Sequence, residues 1–133
     1  MARTDSLVDF ALHSLELATG AIVESGAPLA PFALIDLDGK LNLKGFVGDL
    51  EAAQAQARET IRTTPGIDRA ALAWDGYVVA DGERTDAVLV EASEAGNGES
   101  VVVAQRYRLT GRGEQSAEPF GNAVVVTERE PLF

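Results

Sequence analysis

From Arg69 to Leu109, apolar and polar residues alternate in long runs, broken only at Asp81-Gly82 and between Glu94 and Gly98. Runs of this kind predict strands, so the second half of the chain is committed to an antiparallel meander. The expected strands are Arg69 to Ala80, Arg84 to Ala92 and Ser100 to Leu109, with a further strand over Ala123 to Glu128. A sheet of this size needs cover, and the sequence before it offers only two helical stripes.

The first stripe consists of Val8, Ala11, Leu12, Leu15, Ala18 and Ile22, widened by Leu7 and Phe10, with Thr4 or Asp5 available as a cap. It predicts a helix over about residues 5–25, ended by Gly26 and Pro28. The second stripe, Leu50, Ala53, Ala57 and Ile61, follows a cap at Asp49 and stops at Thr64-Pro65-Gly66. Because it is mostly alanine, this helix should lie close against its sheet. Between the two, Pro31 to Leu37 and Lys40 to Phe46 flank Asp38-Gly39, a hairpin signal because glycine supplies the positive φ of a tight turn. The Lys40–Phe46 strand should be half exposed.

The resulting fold class is α+β, an antiparallel sheet of five or six strands with two helices in the order α-β-β-α-β-β-β-β, forming one domain over residues 1–133. Leu72, Trp74 and Val78 share one face of their strand, and Val88, Val90 and Ala92 share one face of the next. A two-residue turn would set Trp74 opposite Leu89, whereas a three-residue loop through Gly82 sets it opposite Val90. The second register aligns the apolar sets and is the expectation. Leu15, Leu34, Ile61, Leu72, Trp74, Val90 and Val103 should be buried, and Val101, Tyr107 and Leu109 should extend the core.

Composition narrows the chemistry. The chain has no cysteine and one histidine, His13, which the helical spacing places on a polar face with Asp9 and Glu16. Nucleophilic, zinc-dependent and acid–base sites lean on those two residue types. Neither a metal nor an organic cofactor is expected. A net charge of −10 argues against nucleic acid and anionic membrane, where each phosphate contact calls for a Lys or Arg. No apolar run reaches membrane-spanning length and the first residues lack the layout of a signal peptide, so a cytoplasmic location is expected.

Few constellations could carry chemistry. Asp36 and Asp38 before Gly39 resemble the opening of a calcium loop, but the twelfth position from Asp36 is Val47 rather than Glu, so they read as turn residues. Asp75, Asp81, Asp86 and Glu91 lie on neighbouring strands and could supply a carboxylate pair. Arg106, Tyr107 and Arg108, with Arg112 beyond, form the one local concentration of positive charge; the arginines could hold a carboxylate or phosphate, or pair across strands with Glu91 or Asp86. Gly96-Asn97-Gly98 and Gly111-Arg112-Gly113 read as turn chemistry, since neither opens a helix after a strand.

The face opposite the expected core carries Tyr77, Leu89 and Val102, which makes it either a partner surface or the seat of a second helix or the long loop at Thr110 to Pro119. The leading expectation is a non-enzymatic protein-interaction module, a homodimer or a protein that masks a partner, with Tyr77, Leu89 and Val102 at its interface. The alternative is a small-ligand-binding protein or hydrolase-type enzyme whose pocket uses Tyr77, Asp86, Arg106, Tyr107 and Arg108.

The stretches Pro31-Phe32-Ala33, Asp38-Gly39-Lys40 and Thr85-Asp86-Ala87-Val88 to Glu91, in this element order, resemble a class of small uncharacterised bacterial α+β proteins. The element order is also similar to the roadblock and longin scaffolds, whose final helix has no counterpart here. That likeness implies partner binding and dimerisation through sheet and helix surfaces.

Overall fold

The computed structural model describes residues 2–25, 29–46, 49–80, 82–96, 100–109 and 117–129. Its elements are α1 (Ala2–Ser25), β1 (Phe32–Leu37), β2 (Lys40–Gly45), α2 (Leu50–Thr63), β3 (Arg69–Ala80), β4 (Glu83–Glu94), β5 (Ser100–Leu109), β6 (Ala117–Pro119) and β7 (Val124–Arg129). The α+β class with two helices and an antiparallel sheet holds. The sheet has seven strands rather than five or six, because Ala117–Pro119 adds a short strand inside the stretch read as loop. Residues 110–116 and Asp81 lie outside the described residues.

Local chemistry accounts for the boundaries. Asp49 caps α2 by accepting from the Ala52 N–H at 2.9 Å, and the Thr64 N–H closes the last turn on Thr60 and Ile61 carbonyls. The β1–β2 turn sets both Asp38 and Gly39 at positive φ, 53° and 80°. The carboxylate of Asp36 steadies this turn by accepting from the Gly39 N–H at 3.0 Å.

The strands run in the order β2-β1-β3-β4-β5, all pairs antiparallel. The outer edge of β5 is shared: β7 pairs with Ser100 to Ala104 and β6 with Tyr107 to Leu109. One helix covers each face. α1 packs on β3, β4 and β5 through Phe10, Leu15, Ala18 and Ile22, against Ala71, Ala73, Val88, Val90, Val101 and Val103. α2 covers the other face over β1 and β3, where Ala57 and Ile61 meet Ala33, Ile35, Ala70 and Leu72. The short side chains Ala53 and Ala57, both fully buried, let α2 lie close.

Two-sided cover corrects the expected register. Trp74 stands opposite Leu89, not Val90, and Ala80 opposite Glu83, which leaves a two-residue connection. Leu72 and Trp74 face α2 while Val88, Val90 and Ala92 face α1, so the two apolar sets never shared a face. A sheet packed on both sides is apolar on both sides, and matching apolar sets then loses its power to fix register. Leu15, Leu34, Ile61, Leu72, Val90 and Val103 are buried as expected. Trp74 is only half-buried because it sits where the reach of α2 ends, bridging to Ala87, Leu89, Val102 and Ala104. Its indole lies beside Gly76, where an added Cβ would come within 2.9 Å of Leu89. Leu109 is exposed, and β2 is exposed along its whole length rather than half-buried.

A cleft where two strands part

Three polar clamps hold the sheet and its connections in place. Arg69 grips Oδ2 of the buried Asp36 through Nε at 3.0 Å and Nη2 at 2.7 Å, while its guanidinium lies 4.7 Å from the Phe10 ring. Glu91, 1% exposed, receives Arg58 Nη2 from α2 at 2.9 Å on Oε1 and the Ser100 hydroxyl at 2.9 Å on Oε2. On the opposite face Asp75 accepts from the Tyr107 hydroxyl at 2.7 Å and from the Leu29 N–H at 2.7 Å, tying the segment after α1 to β3 and β5.

The candidate acids therefore divide. Asp75 and Glu91 are occupied on opposite faces, Asp81 lies outside the described residues, and Asp86 is exposed. Asp75 and Glu91, on opposite faces of the sheet, do not pair with each other. Burial pushes the Tyr107 phenol's pKa well up, and the hydrogen bond to Asp75 and the charges of Asp75 and Asp86 act in the same direction. A phenol so held keeps its proton at neutral pH and serves as a donor.

Beyond Ala87 and Arg106, the last β4–β5 pair, the strands separate. β4 continues to Glu83 paired with β3, and β5 continues to Leu109 paired on its other side with β6. Between them opens a cleft of about 460 Å³ lined by Glu83, Arg84, Thr85, Asp86, Tyr107, Arg108, Leu109 and Phe120. Across it, among the described residues, no strand pairing joins residues 83–86 to residues 107–109.

Phe120 forms one wall and is held firmly. Its N–H donates to the Arg106 carbonyl at 3.1 Å, and the Gln105 side-chain amide donates to the Phe120 carbonyl at 2.9 Å. The guanidinium carbons of Arg106 and Arg108 lie 5.0 and 4.2 Å from the centre of its ring. Gly121 follows at φ 71°, and a Cβ there would come within 2.5 Å of Arg106 Nη2, so the Arg106 guanidinium rests over bare backbone. At the other wall Arg84 stacks 4.0 Å from the ring of Tyr77.

Of the five candidates for a ligand pocket, Asp86, Tyr107 and Arg108 line the cleft directly, Arg106 backs it through Phe120, and Tyr77 supports Arg84. Arg106 and Arg108 do not pair with Glu91, whose guanidinium partner is Arg58, nor with Asp86. Register explains this: Arg106 stands opposite Ala87, and the strands have parted before Asp86 and Arg108 could meet. Among the described residues Arg84, Arg106 and Arg108 pair with no carboxylate, in contrast to Arg58, Arg62 and Arg69. Sequence reading missed Phe120 and Arg84. The signal for Phe120 was an isolated aromatic between a polar stretch and Gly121.

The three residues expected at an interface do not form one patch. Leu89 and Val102, 8% and 2% exposed, are buried with Ala87 and Ala104, whereas Tyr77 is exposed on the opposite face. Among the described residues no group of three or more acidic or histidine side chains is placed to hold a metal ion, and no helix is long and apolar enough to cross a membrane. His13 is exposed on α1 and does not line the cleft. Compared with protein-family models, curated proteins and solved structures, the chain matches none.

Proposed function

We propose that this protein is a non-enzymatic interaction module whose cleft between β4 and β5 takes an extended, carboxylate-bearing segment of a partner protein. The observation that carries the reading is the parting of two strands that still belong to one sheet. Their facing edges, residues 83–86 and 107–109, present backbone N–H and C=O groups in strand geometry, which an added extended segment satisfies by main-chain hydrogen bonding. Arg84 and Arg108, which pair with no carboxylate among the described residues, supply charge-assisted donors at the two walls. Phe120 supplies an apolar seat. The volume falls within the range of specific ligand sites.

The lone histidine sits away from the cleft, and the buried Tyr107 donates its hydrogen bond to Asp75, which leaves Glu83 and Asp86 as the acidic side chains that line the cleft. The acidic surplus of the chain does not repel the segment from a distance, because exposed charges are screened beyond roughly 8–10 Å at physiological salt.

Amide chemical shifts read this directly. Capped hexapeptides alternating Val with Glu, titrated to millimolar concentration, should shift the amides of residues 83–86 and 107–109, and the same peptides with Lys for Glu should not. Arg108→Ala should weaken the effect several-fold. Shifts produced by citrate but by neither peptide would replace the reading with a small-carboxylate site. No perturbation at the cleft by any of these probes would remove it.

A further inference from the structure

The two faces of the β4–β5 cleft differ in charge. Side chains alternate between faces along a strand. On β5, Val101, Val103 and Tyr107 point to the face of α1, so Arg106 and Arg108 project to the opposite face, where both guanidinium groups meet the Phe120 ring. On β4, Val88 and Val90 point to the face of α1, so Arg84 and Asp86 project to that face as well. Tyr77 stands there with them, opposite Asp86 in register and under the Arg84 guanidinium. The arginines of the two walls thus stand on opposite faces of the sheet.

Register decides what each face can select. The pairing of Ala87 with Arg106, extended by two residues, sets Thr85 level with Arg108. Across from Arg106 and Arg108 the β4 wall therefore offers Ala87 and Thr85, neither of them charged, and Glu83 comes two residues further out. On the face of α1, Arg84 and Asp86 share one wall, about 6.5 Å apart along the strand. An incoming charge of either sign is attracted by one of them and repelled by the other. Negative charge is favoured on the Phe120 face alone.

Resting on the reading of the cleft as a seat for an extended segment, we infer that it selects acidic residues at every second position of that segment, all directed to the Phe120 face, with uncharged residues between them. Arg108 lines the cleft and takes a carboxylate directly. Arg106, half-buried over the same ring, adds positive charge two residues away, the spacing at which side chains of an extended segment return to one face. Arg108 and Arg106 are the specificity-determining residues, and Arg84 is not.

Two capped hexapeptides of the same composition and net charge test this, three Val and three Glu either alternating or in two blocks, Val-Val-Val-Glu-Glu-Glu. The alternating peptide places every carboxylate on one face, whereas the block peptide divides them between both. Followed at the amides of residues 83–86 and 107–109, the alternating peptide should bind about threefold tighter, the scale of an exposed charge pair. Arg84 and Arg108 are exposed, so their substitution leaves the core intact. Arg108→Ala should bring the ratio of the two affinities close to one, whereas Arg84→Ala should weaken both peptides alike and keep the ratio. Equal binding of the two peptides by the wild type overturns the inference and leaves the cleft as a segment seat. A ratio that Arg84→Ala removes and Arg108→Ala keeps does the same. Failure of both peptides to shift any of these amides overturns the inference together with the reading on which it rests.

Discussion

Replacing Tyr107 by Phe removes one hydroxyl from a buried residue and leaves its packing volume nearly unchanged, which isolates the hydrogen bond to Asp75. That bond, 2.7 Å long to a carboxylate oxygen, belongs to the class worth about 1.5–3 kcal/mol. Asp75 keeps its second donor, the Leu29 N–H at 2.7 Å, so the carboxylate is not left without a partner and the cost should fall near about 2 kcal/mol at neutral pH. The pH dependence makes the test specific. Burial and Asp75 raise the phenol's pKa in the folded state above its ordinary 10.0. The unfolded chain therefore loses the proton first as pH rises, and it gains stability relative to the native state by doing so. The contribution of Tyr107 is complete below about pH 10 and declines by up to about 1.4 kcal/mol per pH unit above it. Phe has no proton to lose. Urea denaturation of both proteins should show a gap of about 2 kcal/mol at neutral pH that narrows to well under about 1 kcal/mol near pH 11. A gap that is equal at both pH values, or no gap at neutral pH, would refute the assignment of Tyr107 as a buried donor to Asp75.

Leu72 is fully buried between α2 and the sheet, and Leu72→Ala should cost about 2–5 kcal/mol with the denaturant slope unchanged; a loss under about 1 kcal/mol would show that α2 is not seated there. Arg58→Ala removes a charge-assisted hydrogen bond from the buried Glu91 carboxylate and should cost about 1.5–3 kcal/mol by urea denaturation; a loss under about 0.5 kcal/mol would show that α2 is not tied to β4 at this point.

Punctuation was legible in the sequence. Asp49 before an alanine stripe, Asp38-Gly39 between apolar runs and Gly82 between long strands each mark a place where backbone chemistry decides locally, and each lies where an element ends. What depends on both faces of the sheet was not legible. Ala71, Ala73 and Val90 face one helix and Leu72, Ile35 and Ala70 the other, so neighbouring residues of one strand are equally apolar for different reasons. Composition cannot say which residues share a face with α1, and the register argument failed at that point. The same ambiguity made Leu89 and Val102 read as outward-facing when they are enclosed beside Trp74.

The cleft shows the same limit in its charges. Tyr107, Arg108 and Asp86 stand out in sequence, but whether an arginine is free depends on partners far along the chain. Arg58 meets Glu91 across 33 residues, Arg69 meets Asp36 across 33, and Tyr107 meets Asp75 across 32. One of these clamps did have a local signal: Glu91 interrupts the apolar run from Val88 to Ala92, and a carboxylate at such a position needs a buried counter-charge. Once those clamps are assigned, Arg84, Arg106 and Arg108 remain, among the described residues, unclaimed by any carboxylate at the end of the sheet where β4 and β5 separate. Their rings, Tyr77 and Phe120, orient the guanidinium groups without neutralising them. Among the described residues, three arginines so oriented stand beside two strand edges that no strand pairing joins across the cleft, and these are the backbone groups and the charge on which the proposed binding of an extended segment rests.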